Sequence, residues 1–213
     1  MLGCYRPLRE NELAGKSGPD IVERLDDPWF ARLVRRQVVE PAEEARISAA
    51  LPSITPVADA TSRAVQTQYE ENPYPRWGAL PGMIDAQPMQ QKIRGLFPFL
   101  GEGDTRVPER PRMLIAGCGT GRHAALAALL HPAADILAVD LSRASLGYAA
   151  RRAAETGAKN LKFAQADILE MSLLGESFDV IDCVGVLHHL HDPMAGWRVL
   201  RGLLAAGGFM RVA

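Results

Sequence analysis

Five residues, Gly117-Cys118-Gly119-Thr120-Gly121, constrain this chain more than any other stretch. They stand between a continuous apolar run, Met113-Leu114-Ile115-Ala116, and an alanine- and leucine-rich segment from Arg122 to Leu130. A short run that is apolar throughout reads as a strand buried on both faces, which is the habit of a parallel sheet. Glycines at such a turn let backbone amides approach a bound group, and the helix that follows presents its positive end there. The pattern then recurs. Ile136-Leu137-Ala138-Val139 predicts a second strand ending at Asp140, and Ser142 can cap a helix running to about Thr156. A third strand is predicted over Leu161 to Asp167 and a fourth over Phe178 to Val184. A helix near Pro193 to Leu204 leads through Gly207-Gly208 into a fifth, Phe209 to Val212. Strands alternating with helices predict an α/β fold of at least five parallel strands with both faces covered.

Carboxylates at two strand ends give this frame its chemistry. Asp140 follows the glycine turn by a little over twenty residues, at the carboxyl edge of the sheet. A carboxylate there can accept both hydroxyls of an adenosine ribose. The glycine turn and Asp140 alone suit a dinucleotide as well as S-adenosylmethionine, and each has a plain structural reading as a turn or a helix cap. Asp167, in Gln165-Ala166-Asp167-Ile168-Leu169, adds a group that can accept the exocyclic amine of adenine.

Together with Val184-Gly185-Val186-Leu187-His188-His189-Leu190, these residues resemble class I methyltransferases, above all their small-molecule branch. The resemblance covers about half the chain. It implies S-adenosyl-L-methionine as cofactor, held by the loop residues Gly117, Cys118, Gly119 and Gly121. Asp140 and Leu141 would meet the ribose, Asp167 and Ile168 the adenine, and the segment from Cys183 to Leu187, with Val184 and Gly185, the methionine arm. The expected architecture is a Rossmann-like sheet in the order 3-2-1-4-5. Related domains add a helix and two closing strands, whereas this sequence stops at Ala213, in or just after the fifth strand. The terminal edge strand is therefore expected to be covered by the N-terminal region, a partner chain or a second copy, or further residues.

Upstream, Gln68 to Trp77 contains Asn72-Pro73-Tyr74-Pro75-Arg76-Trp77 and is similar to a segment preceding the methyltransferase domain in a group of bacterial proteins. Tyr69, Tyr74 and Trp77 can form a lid or acceptor platform over the cofactor mouth, excluding water and attracting a sulfonium. Equally, they can anchor the N-terminal region to the core. For catalysis, His188 and His189 are candidates to take a proton from the acceptor, since an imidazole titrates near neutral pH. No metal-ligand spacing is present. Two other functions stay open: an NAD-binding oxidoreductase, with Arg122 beside a cofactor phosphate, and a fragment of a larger protein that binds or scaffolds without turnover.

Composition sets the outer limits. With 24 basic and 25 acidic residues the formal net charge is -1, which gives no drive towards bulk nucleic acid. No apolar run is long enough to predict a signal peptide or a membrane anchor. Cys4, Cys118 and Cys183 are too scattered for a disulfide framework, so a reducing, cytoplasmic setting is expected. Three regions are expected: an N-terminal helical region over 1–58, cut into short pieces by Pro19, Pro28, Pro41, Pro52 and Pro56; a helix, the proline-rich segment and a linker over 59–111; and the cofactor-binding core over 112–213. The acceptor of the methyl group is not identified by any motif.

Overall fold

The computed structural model describes residues 22–23, 25–82, 84–101 and 107–213. The readings of Cys4, of Pro19 and of the linker at 102–106 lie outside the described residues. The sheet has five strands: β1 (Arg112–Ala116), β2 (Asp135–Asp140), β3 (Leu161–Gln165), β4 (Phe178–Cys183) and β5 (Leu204–Val212). All neighbours are parallel, and the order is β3-β2-β1-β4-β5, as expected.

Helical segments surround it. Before the sheet come α1 (Pro28–Val34), a π-helical turn (Arg35–Val39), α2 (Glu40–Ala50), α3 (Ala60–Glu71) and α4 (Met89–Leu96). Within the core, α5 (Arg122–Leu130) follows β1, α6 (Arg143–Glu155) follows β2 and α7 (Pro193–Gly202) precedes β5. Alternate residues of each strand serve opposite layers. Met113, Ile115, Ile136, Ala138 and Val180 pack with the alanines of α5 and with Leu146, Ala149 and Ala153 of α6. Leu114, Ala116, Val139, Ile181 and Cys183 pack with Met171, Leu200 and Leu203 on the other side. The alanines have a use: a Cβ on Gly121 would stand 2.5 Å from the Ala149 Cβ, so α6 lies almost on the glycine turn. Among the described residues no helix is long and apolar enough to cross a membrane.

Four expectations change. The third strand ends at Gln165, and Asp167 instead caps a 3-10 helix, Ile168–Leu174, accepting from the Leu169 N–H at 3.0 Å. Gly207-Gly208 does not precede β5 but lies within it. Phe178 pairs with Leu204 and Val180 with Phe209, so four residues of β5 oppose one of β4. Gly207 takes a left-handed φ of 78°, and a Cβ on Gly208 would stand 2.7 Å from the Asp179 carbonyl oxygen, so both glycines build a bulge. Thirdly, Pro41 does not break the helix. It follows directly on the π-helical turn, whose wider winding accommodates a residue with no N–H and a ring that crowds the preceding turn. Fourthly, the linker contains α4, whose Met89 and Ile93 are buried. On α1 Val34 is buried, while Phe30 and Leu33 are exposed.

The N-terminal region is fastened to the core by charge as well as by packing. Arg151 of α6 is buried and donates to Glu44 at 3.0 Å, Glu40 at 3.2 Å and Glu155 at 2.7 Å. Gly147 permits this approach, since a Cβ there would stand 2.4 Å from the Glu44 carbonyl oxygen. Arg143 donates to the carbonyls of Ser48 at 2.6 Å and Leu51 at 2.7 Å, closing the end of α2. The next residues run beside β3: Gln165 N–H donates to Pro52 and Ile54 N–H donates to Gln165.

Candidate functional site

A cavity of about 220 Å³ opens at the carboxyl edge of the sheet. Its floor is the glycine turn. Gly117 and Gly119 take φ of 72° and 52°, which only glycine adopts without strain. A Cβ at Gly117 would stand 2.3 Å from a Val186 methyl, so this backbone is covered closely from the β4 side. Gly121, at φ 78°, is the N-cap of α5.

Asp140 ends β2 at the cavity. Its carboxylate accepts from the Gly119 N–H at 2.7 Å and from the Ser142 N–H at 3.0 Å, one oxygen each. This fixes the carboxylate between the glycine turn and α6 while leaving acceptor capacity on both oxygens. Enclosure pushes the Asp140 pKa up; the N–H groups of Ser142 and Gly119 oppose that rise and the charge of Glu70 adds to it. Glu70 itself reaches over from α3. Its two oxygens accept from the Arg143 and Ala144 N–H groups at 2.7 and 2.8 Å, filling the amino end of α6. Gln66 adds a bond to the Leu141 carbonyl at 3.1 Å. These contacts lay α3 along the mouth, where Ser62, Val65 and Tyr69 line the cavity.

Two buried polar atoms face this cavity without a partner: Asp167 Oδ2 and Ser62 Oγ. An unpaired carboxylate oxygen out of water is costly, so its presence beside a cavity points to a ligand that donates to it. Asp167 is fixed by the bond from Leu169 N–H to its other oxygen and by its own N–H, which donates to Thr55 at 2.7 Å. Ile168, Ala166, Val186 and Leu190 supply apolar walls, and Gly185 and His189 come from the segment after β4.

The structure thus brings Gly117, Gly119, Asp140, Leu141, Asp167, Ile168 and Gly185 to one cavity, with Tyr69, Tyr74 and His189 at its rim. Cys118, Gly121, Val184, His188 and Trp77 do not line it. Cys118 is buried under the turn, and Val184 is 45 % exposed. His188 lies against His189, ring centroids 4.1 Å apart, and the edge of His189 meets Tyr69 at 6.2 Å. Burial, with His188 as a neighbour, lowers the His189 pKa. Trp77 is not part of a lid. It is buried, its Nε1 donates to the Thr120 carbonyl at 2.7 Å and its N–H to the Tyr148 hydroxyl at 3.0 Å. Tyr148 returns a bond to the Trp77 carbonyl, and Thr120 donates to the Pro75 carbonyl, both at 2.5 Å. Trp77 therefore anchors the proline-rich segment, and Tyr74, 74 % exposed, hangs from that anchor over the mouth.

Sequence reading missed Ser62, Val65, Pro75, Ala166 and Leu190 as lining residues. Ser62 carried a usable signal: it sits one turn before Val65 and two before Tyr69 on the same helix face.

Comparison with known proteins now decides the class. Residues 113–208 match a family model described as a methyltransferase domain, a span that contains the glycine turn, Asp140, Asp167 and the segment after β4. Residues 113–208 thus carry the class I, Rossmann-like fold of S-adenosylmethionine-dependent methyltransferases. An uncharacterized protein of Synechococcus sp. is 37 % identical over 158 residues, 72 % of this chain and 37 % of that protein. A tRNA (guanine-N(7)-)-methyltransferase of Rubrobacter xylanophilus is 43 % identical over 75 residues, 35 % of this chain and 34 % of that protein. The chain spans about a third of the length of these two relatives. The fold of the methyltransferase domain is shared with the crystal structure of the [4+2]-cyclase SpnF, at a TM-score of 0.51 and 24 % identity over 75 % of this chain and 62 % of that one. The orphaned Asp167 oxygen, the Asp140 carboxylate and the apolar walls have the chemistry to hold an adenosine group.

Beside the cavity, on the α5 side of β4, Asp182 joins His123 and Arg211. Its carboxylate accepts from His123 Nε2 at 2.6 Å and from Arg211 Nε and Nη2 at 2.9 and 2.5 Å. Burial acts to raise the Asp182 pKa, but these bonds and charges outweigh it and hold the carboxyl below its ordinary range. A depressed carboxyl stabilises the fold above its unfolded pKa, near 3.9, and loses that contribution as pH falls through the folded value. Urea midpoints of the chain should therefore fall on acidification below about pH 4, and less steeply for Asp182→Asn. Parallel curves for the two proteins would show that Asp182 takes no part in acid unfolding.

Proposed function

We propose that this chain binds S-adenosylmethionine in the cavity at the glycine turn and transfers its methyl group to a small-molecule acceptor. The orphaned Asp167 oxygen carries this reading, because it asks for a donor such as the exocyclic amine of adenine. The cofactor supplies a methyl group on a positively charged sulfur, already an excellent leaving group. Gly117 and Gly119 would bring their backbone against it, with Cys118 and Gly121 shaping the turn from beneath. Asp140 would accept the ribose hydroxyls beside Leu141, Asp167 and Ile168 would enclose the adenine, and Val184 and Gly185 would flank the methionine arm. What remains for the protein is to position the acceptor and exclude water. Tyr69, Tyr74 and Pro75 are placed for the second task. His189, whose lowered pKa keeps it neutral near pH 7, would take the acceptor's proton, with His188 as its neighbour.

A small acceptor is favoured by the enclosed, aromatic-rimmed mouth and by a net charge of -1. The similarity to a tRNA methyltransferase, confined to about a third of each chain, makes RNA the competing class. Buried free thiols at Cys118 and Cys183, the latter pushed up to about 11 by burial and by Asp182, suit a reducing cytoplasm. A partner chain or second copy on the open edge of β5 belongs to the same reading.

Methyl-labelled S-adenosylmethionine, incubated with the protein and a cell extract separated by size, tests it. Label is expected in the low-mass fraction and absent with Asp140→Ala. Label in the RNA or protein fraction would reassign the acceptor, and no label above the Asp140→Ala control would leave a binding module without turnover.

A further inference from the structure

A second cavity, of about 330 Å³, lies behind the proline-rich segment and is lined by Arg36, Glu40, Arg76, Trp77, Gly78, Tyr148, Arg151 and Arg152. Four guanidinium groups converge there from three separate elements: the π-helical turn, the proline-rich segment and α6. Three carboxylates answer them, Glu40, Glu44 and Glu155, so the cluster holds one more positive than negative charge. The surplus has a location. Arg36 is exposed and makes no ion pair among the described residues, whereas Arg76 and Arg151 are paired. Arg152 bonds Glu155 and the Gly78 carbonyl, yet its Nε is buried without a partner. An orphaned donor beside an arginine-rich cavity asks for an anion.

The surroundings narrow the ligand. Arg76 and Arg151 lie over the Tyr148 ring, at 4.9 and 5.6 Å from its centre, and Arg152 lies over Trp77 at 5.0 Å. Those rings already carry guanidinium groups, which leaves them poorly placed to stack a nucleobase. Donors arriving from three directions suit a tetrahedral oxyanion better than a planar carboxylate. Arg36 owes its place to the π-helical turn, and such turns recur at functional sites.

We propose that this cavity binds a small phosphate-bearing anion and that its occupancy is felt at the glycine turn. One segment walls both cavities: Tyr74 and Pro75 line the first, and Arg76, Trp77 and Gly78 line the second. Trp77 Nε1 holds the Thr120 carbonyl and Thr120 holds the Pro75 carbonyl, so a shift of Trp77 pulls on the turn through two short bonds. The coupling rests on the cofactor reading above; the anion site does not.

The test is calorimetry on the full chain with inorganic phosphate, against potassium chloride at matched ionic strength and against malonate. Saturable phosphate binding is expected, weakened about tenfold or more by Arg36→Ala, the loss of one charge-assisted contact. Arg36 is exposed and makes no ion pair among the described residues, so this variant keeps the fold. In a Trp29→Phe, Trp197→Phe background, phosphate should shift the emission of Trp77. Phosphate should also change the affinity for S-adenosylhomocysteine several-fold in the wild-type chain and not in Arg36→Ala. Binding that does not saturate, or that Arg36→Ala leaves alone, overturns the site. Equal binding of malonate overturns its phosphate character. Phosphate binding with no change in S-adenosylhomocysteine affinity overturns the coupling. Failure to bind S-adenosylhomocysteine at all removes the coupling together with the cofactor reading, while the phosphate isotherm still decides the site.

Discussion

Replacing Asp140 by Ala is expected to weaken S-adenosylhomocysteine binding by at least about a hundredfold. Two losses combine. The carboxylate would give two charge-assisted bonds to ribose hydroxyls, each worth roughly 1.5–3 kcal/mol. It also holds the floor of the site, since it joins the Gly119 N–H to the Ser142 N–H across the gap between turn and helix. Without it the Gly119 amide has no acceptor and the turn loses its one side-chain tie to β2. A loss of about 3 kcal/mol corresponds to somewhat more than two orders of magnitude in Kd. Asp140→Asn is expected to recover little, because its amide nitrogen would have to face one of the two backbone donors. Calorimetric titration of both variants against the wild type checks this. A fall of less than about fivefold for Asp140→Ala would mean that the ribose is held elsewhere.

The second large effect is on stability. Arg151→Met should destabilise the fold by roughly 3–5 kcal/mol, the usual cost of breaking a buried ion pair from one side. The arginine side chain is 6 % exposed and Glu44 8 %, and their bond joins α6 to α2. Removing the cation leaves Glu44 buried with Arg76 alone, at 3.2 Å. For a chain of this size each kcal/mol moves Tm by roughly 2–4 °C, so a drop on the order of 10 °C is expected. Arg151→Met combined with Glu44→Leu should recover part of the loss, because no charge is then stranded. Thermal and urea unfolding of the three proteins gives the answer. A single variant within about 1 kcal/mol of the wild type would show that the N-terminal helices are held by apolar contact, not by this pair.

Much of the core was legible because each strand and helix carries its own local signal. Buried apolar runs of four to six residues and a glycine turn before an alanine-rich helix point to one topology. The strand-end carboxylates could be placed on the same grounds, since the carboxyl edge of a parallel sheet is where such groups meet. What escaped was non-local. Nothing near Glu70 in the sequence announces that it will cap a helix starting at Arg143, more than seventy positions away. Trp77 looked like a candidate for the mouth by its aromatic neighbours, but its indole N–H found the Thr120 carbonyl and its ring found the core. Pro41 was misleading because a proline normally ends a helix, and the π-helical turn that spares this one has no sequence signature of its own. Gly207-Gly208 read as a turn because the residue that Gly208 must avoid, Asp179, lies on the neighbouring strand.

The contact between Glu70 and the first amides of α6 bears on where the folding unit begins. The segment matched by the family model starts at residue 113, yet the amino end of α6 is completed by a side chain from α3. Arg143 and Arg151, on the same helix, each send two or more bonds to residues 40 to 51. A protein trimmed to the matched segment would keep β2, β3 and β4 whole but lose Phe209 to Val212, the part of β5 that pairs along β4. It would carry an arginine stripped of two of its three glutamates, a helix end open to water and no roof above the cavity at the glycine turn. Recognition by sequence and autonomy in solution thus have different frontiers in this molecule, some seventy residues apart.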